Sequence, residues 1–141
     1  MERMLKQSAA VYLEGGYLDV KRTQPRILVV EDDVSLATMY RALLRLAGFD
    51  VDVTADGFAA LRYLDQAQPD LVVLDLHLPG VRGEAVLAEV AANPALHHIP
   101  VIVVTGSDAR TAVAQAVAIL NKPCDPSRLL SVVERHVGRA A

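Results

Sequence analysis

Leu71-Val72-Val73-Leu74-Asp75 is a run of four aliphatic residues closed by a carboxylate, and the architecture can be worked out from it. A run with no polar alternation suits a strand buried on both faces. A carboxylate directly after such a run needs a partner, because an unpaired buried charge is costly. The pattern recurs upstream as Ile27-Leu28-Val29-Val30 followed by Glu31-Asp32-Asp33, and downstream as Val101-Ile102-Val103-Val104 followed by Thr105. Val51-Asp52-Val53 reads as a shorter strand, and the apolar residues 117–120 end at Asn121-Lys122-Pro123.

Helical spacing fills the gaps between these strands. Leu36, Met39, Tyr40, Leu43, Leu44 and Ala47 recur with a helical period, Asp33 or Ser35 can cap that helix, and Gly48 stops it. Asp56 caps a second helix that carries Ala60, Leu61 and Leu64 inward. Residues 84–92 form a third with Val86, Leu87 and Val90 on one face, and residues 108–116 fit a short fourth. Asp125-Pro126 opens the last, with Leu129, Leu130, Val133 and Val137 inside. Strand and helix therefore alternate five times. The fold class is α/β, with a five-stranded parallel, doubly wound sheet covered on both faces.

Composition is consistent with this. The chain has 141 residues, which suits one domain. Hydrophobic residues make up 52% but aromatics only 4%, so small aliphatic side chains must fill the core. The formal net charge of −3 gives no field that would draw nucleic acid. One cysteine, Cys124, excludes an internal disulfide and fits a reducing compartment. No run is long enough to span a membrane, and no signal peptide opens the chain. The expectation is a cytoplasmic protein.

Residues 1–24 read as an N-terminal arm and linker, and 25–141 as the domain. Met4, Leu5 and Val11 give a weak helical stripe, Gly15-Gly16 breaks it, and Lys21-Arg22-Thr23-Gln24-Pro25 reads as linker. The arm is either a frayed or docked tail, or a short helix that contacts a partner or a second copy of the chain.

In parallel sheets, ligands bind beyond the carboxyl ends of the strands. Folding would gather Glu31, Asp32, Asp33, Asp75, Thr105 and Lys122 at that edge. Clustered carboxylates repel one another, and a hard divalent cation such as Mg²⁺ relieves the repulsion. The Lys122 ammonium can pair with a phosphate or a carboxylate, and Thr105 offers a hydroxyl donor. A metal-shielded carboxylate can accept a phosphoryl group.

These motifs resemble the receiver domain of two-component response regulators. The match lies in Ile27 to Asp33, in Leu71-Val72-Val73-Leu74-Asp75-Leu76-His77-Leu78-Pro79-Gly80-Val81-Arg82-Gly83, in Val101 to Gly106, and in Lys122-Pro123. It runs from about residue 26 to the end, with 43 residues from Asp32 to Asp75 and 30 from Asp75 to Thr105. The resemblance implies a flavodoxin-like (βα)5 receiver fold. It implies Asp75 as phosphoacceptor, Thr105 as switch hydroxyl and Lys122 as the phosphate's partner. It implies Mg²⁺ held by Asp32, Asp75 and the His77 backbone carbonyl, with Glu31 acting through water. Lys122-Pro123 resembles the family's cis-prolyl junction. The donor would be a sensor histidine kinase or a histidine phosphotransfer protein, and the output a phosphorylation-controlled protein contact or a phosphorelay. With no output domain after the last helix, the chain reads as a stand-alone regulator and not an enzyme, with a second copy left open as a partner.

Two features depart from the family. Thr105 and Lys122 are only 17 residues apart, short by roughly one and a half helical turns, so the fourth helix or its loops are trimmed. Ile119 stands where the family usually has Tyr or Phe, and a β-branched side chain cannot swing as that ring does. Both support an alternative: a degenerate receiver that binds its partner without phosphorylation. A haloacid-dehalogenase-type phosphatase is a further alternative, but it needs a second acid two residues past Asp75, where this chain has His77. His97-His98 read as a solvated loop, His136 as favouring a helix dipole, and Cys124 as a small half-buried residue.

Overall fold

The computed structural model describes residues 9–13, 16–20, 24–106 and 114–137. Strands β1 (Ala9–Leu13) and β2 (Gly16–Val20) form a two-stranded antiparallel sheet, with Tyr12 opposite Tyr17 and Val11 opposite Leu18. The helical reading of this arm is therefore replaced by a hairpin. Val, Tyr and Leu crowd both segments, and β-branched and aromatic residues favour strands.

The remaining elements are β3 (Arg26–Val30), α1 (Val34–Leu46), β4 (Asp50–Thr54), α2 (Gly57–Gln66), β5 (Leu71–Leu74), α3 (Gly83–Ala92), β6 (Val101–Thr105), β7 (Ala118–Asn121) and α4 (Pro126–His136). Strands β3 to β7 make one parallel sheet in the order β4-β3-β5-β6-β7. The first of these strands thus lies inside the sheet and chain order reverses beside it. That reversal opens a crevice beyond the carboxyl ends of β3 and β5.

The aliphatic runs are buried on both faces because side chains alternate along a strand. Leu28 and Val30 of β3 join Ala60, Leu64, Val86, Leu87 and Val90 in a cluster beneath α2 and α3. Ile27 and Val29 point the other way, to Tyr40, Leu44, Leu129 and Val133 beneath α1 and α4. Met39, read as core-facing, is 37% exposed, and Ala37 is buried in the same helix. Arg26 is buried at the opposite end of the sheet, with its Nε 3.7 Å from Asp52 Oδ2. Asp52 also accepts a 2.7 Å hydrogen bond from the Tyr63 hydroxyl, so the buried charge is matched.

The helix expected over residues 108–116 falls largely outside the described residues, and Ala114-Gln115 at its end form a turn. Among the described residues, no helix is long and apolar enough to cross a membrane.

Candidate functional site

The β-ladder seats the two buried carboxylates. The Glu31 amide donates to the Thr54 carbonyl at 3.0 Å and the Asp75 amide to the Val30 carbonyl at 3.0 Å, which extends the ladder one residue past each run. Glu31 and Asp75 are 3% and 5% exposed, while Asp32 stands in solvent. One oxygen from each of Glu31, Asp32 and Asp75 lies within 4.8 Å of the others. Asp33 turns away and caps α1 by accepting from the Leu36 amide at 3.0 Å.

Lys122 reaches this cluster from the end of β7. Its amide donates to the Thr105 carbonyl at 2.9 Å, and its bond to Pro123 is cis. Its ammonium donates to Glu31 Oε1 at 2.7 Å and to Asp75 Oδ2 at 3.2 Å. The other oxygens take backbone donors: the Asp33 amide reaches Glu31 Oε2 at 3.2 Å, and the His77 amide reaches Asp75 Oδ1 at 3.1 Å. Thr105 is fully buried at the end of β6, at the same edge of the sheet.

Burial raises the Glu31 carboxyl above its ordinary value, and the Asp75 charge adds to this while the Lys122 hydrogen bond opposes it. For Lys122, burial works to lower the value, but the Glu31 and Asp75 carboxylates together outweigh it and the ammonium is held above its usual range. Three carboxylates facing one ammonium leave an excess of negative charge. Hard oxygen donors converging with uncompensated charge are what Mg²⁺ takes, so the donor set fits such an ion.

The sequence-predicted residues Glu31, Asp32, Asp75 and Lys122 are thus brought into one cluster. His77 contributes its backbone amide to Asp75, while its side chain is exposed. Ile119 is half-buried and packs against the cluster beneath α2 and α3. Sequence reasoning gave two neighbours of the site no role there. Tyr40 is buried beside the site, and burial pushes its phenol up while the Lys122 charge pulls it down. Gly83 lets α3 meet β5 backbone to backbone: a Cβ there would overlap the Asp75 carbonyl oxygen and the Leu76 Cα. Gly83 closes the run from Leu71 that carries the family resemblance, whereas no spacing rule marks Tyr40, whose place beside Lys122 depends on which elements become neighbours.

His97 and His98 are exposed, their rings edge to face at 6.5 Å. Among the described residues, the grouping able to hold a metal is Glu31, Asp32 and Asp75.

Comparison with known proteins gives a consistent result. The family model described as "Response regulator receiver domain" matches residues 27–134. Protein Rrf1 of Nitratidesulfovibrio vulgaris is 35% identical over 117 residues, spanning 82% of this chain and 85% of its own length. The DNA-binding response regulator MtrA of Mycobacterium leprae is 38% identical over 122 residues, which cover 81% of this chain and 52% of MtrA. The chain thus spans about half the length of that relative. Among solved structures, the receiver domain of the sensor histidine kinase PA1611 from Pseudomonas aeruginosa superposes with a TM-score of 0.75 at 27% identity. That alignment covers 82% of this chain and 99% of the PA1611 domain, which carries a magnesium ion in its active-site cleft.

Proposed function

The chain belongs to the response regulator receiver family, and on that premise we propose that it is a phosphorylation switch in which Asp75 accepts a phosphoryl group from a phosphohistidine. The donor is a sensor histidine kinase or a histidine phosphotransfer protein. The output is a phosphorylation-controlled contact with another protein, or onward relay of the phosphoryl group. The observation that carries this reading is the Lys122 ammonium bonded at once to Asp75 and Glu31, beside Asp32.

An Asp75 carboxylate oxygen attacks phosphorus. The P–N bond breaks, its electron pair stays on the donor imidazole, and an acyl phosphate forms on Asp75. Lys122 is within reach to leave Asp75 Oδ2 and pair with a phosphoryl oxygen. The His77 amide holds Asp75 Oδ1 and so orients the carboxylate. Asp32, Asp75 and the His77 carbonyl would hold Mg²⁺, with Glu31 acting through water. When bound, Mg²⁺ supplies charge neutralisation between carboxylates and phosphoryl oxygens. Thr105 supplies the hydroxyl that closes on the acyl phosphate.

A second reading is a receiver that binds its partner regardless of phosphorylation. Ile119, which cannot act as a rotating ring, favours it. Intact mass after incubation with Mg²⁺ and acetyl phosphate tests the first reading, with Asp75→Asn alongside. One added phosphoryl group in the parent alone is the expected result, and equal labelling of both proteins would sink the assignment. Equal partner affinity before and after labelling would favour the second reading.

A further inference from the structure

The segment 76–82, which carries His77, is gripped from two sides at glycines. At its far end, a Cβ on Gly83 would overlap the Asp75 carbonyl oxygen and the Leu76 Cα, and the Gly83 amide donates to the Leu76 carbonyl at 3.1 Å. On the other side stands the first turn of α2. A Cβ on Gly57, the first residue of that helix, would overlap the Val81 carbonyl oxygen and lie 2.7 Å from the Val81 Cβ. The next residue, Phe58, is 62% exposed, yet its ring lies where a Cβ on Gly80 would be 3.3 Å away. Gly80 itself has φ +74°, a conformation costly for other residues. The segment is therefore enclosed between the starts of α2 and α3, with backbone meeting backbone.

We infer that Gly57, on a different element from every acidic residue of the site, is a positioning residue for it: by admitting α2 against Val81, it fixes segment 76–82 and keeps the His77 amide on Asp75. Val81 and His77 are joined by Leu78, Pro79 and Gly80. Leu78 is buried, Pro79 has a fixed φ, and Gly80 is seated under Phe58. That linkage has little slack, so a displacement of Val81 is passed to His77. A side chain at Gly57 meets backbone, which no rotamer change can relieve. The consequence for Mg²⁺ rests on the functional reading above, whereas the consequence for the His77 amide does not.

The test uses Gly57→Ala and Phe58→Ala in the full chain, with Leu64→Ala as a control. Leu64 is buried in the same helix, two turns from its start, so it costs stability while leaving the Gly57–Val81 and Phe58–Gly80 contacts in place. Amide hydrogen exchange at His77 and Gly83 is read by NMR without metal, and Mg²⁺ affinity by calorimetry. In Gly57→Ala, exchange at His77 should speed up and Mg²⁺ affinity should fall roughly tenfold or more, as for other groups that support a metal ligand. Phe58→Ala should shift both in the same direction by less, and Leu64→Ala should leave both unchanged. Parent-like exchange and affinity in Gly57→Ala overturn the inference, as does an equal loss in Leu64→Ala. If Gly57→Ala does not fold, Phe58→Ala decides, since it alters an exposed ring, and unchanged exchange there overturns the inference. If the parent binds no Mg²⁺, the functional reading fails, and exchange at His77 still decides whether Gly57 positions it.

Discussion

Removing the Lys122 ammonium would leave Glu31 and Asp75 as neighbouring buried carboxylates with their shared donor gone. Lys122→Ala is expected to cost about 3 kcal/mol by urea unfolding in EDTA, at the lower end for a broken buried pair, since Lys122 is 22% exposed. Mg²⁺ should restore part of that loss, because it supplies the missing positive charge, and a variant as stable as the parent would count against the pairing. Cys124 gives a prediction in pH. Burial raises its thiol above the ordinary value of 9.0, so less thiolate is present at a given pH. Iodoacetamide labelling should be slower than for a free cysteine, with its midpoint shifted to higher pH. The same shift makes the thiol's contribution to stability complete below the unfolded value and lost as pH rises through the folded one. At this scale, Asp75 and Lys122 could be picked out from the sequence because each comes at or just past the end of a strand-forming run. Gly57 could not, because what it meets is Val81, more than twenty positions away.

Helices form here as their end signals indicate. Asp56 accepts from the Ala59 amide at 2.8 Å and starts α2 where the sequence places it. Asp56→Ala should therefore lower stability by about 1 kcal/mol, measured as a shift in the urea midpoint with unchanged slope. Asp125 caps α4 in the same way, accepting from the Ser127 amide at 2.9 Å, with Pro126 as the first helical residue. The N-terminal arm behaves differently. Its three apolar residues at loose helical spacing carry less weight than the strand-favouring residues around Gly15-Gly16, and β1 pairs with β2. A hairpin is recognised by two segments reading together, whereas a helical stripe is sought within one, which is why the stripe misleads. Ile119→Tyr belongs at this scale too. If the missing ring is what limits signalling through β7, this change should increase the difference in partner affinity between phosphorylated and unphosphorylated protein.

For the whole molecule, the excess negative charge beyond β3 and β5 means that Mg²⁺ should stabilise the fold. The gain should be about 2.7 kcal/mol when free Mg²⁺ is a hundred times its Kd, and chelation should remove it. Asp75→Asn should be more stable than the parent in EDTA, because one of three mutually repelling carboxylates is gone, and should gain little from Mg²⁺. Thermal unfolding of both proteins with and without the ion checks the sign. By itself the sequence determined the alternation of strand and helix, burial of the central strands on both faces, and the carboxylates and lysine at their ends. These are local properties: a four-residue aliphatic run has no solvent-facing side, and the residue after it must emerge at the sheet edge. Only the tertiary structure decided that Lys122 bonds to Glu31 and Asp75 together, that Gly57 and Gly83 enclose the segment carrying His77, and that the arm is a hairpin. Each is a contact between segments distant in the chain or between two strands paired side by side. Such contacts are set by how close two backbones come once the sheet order is fixed, and no single stretch of sequence carries that distance.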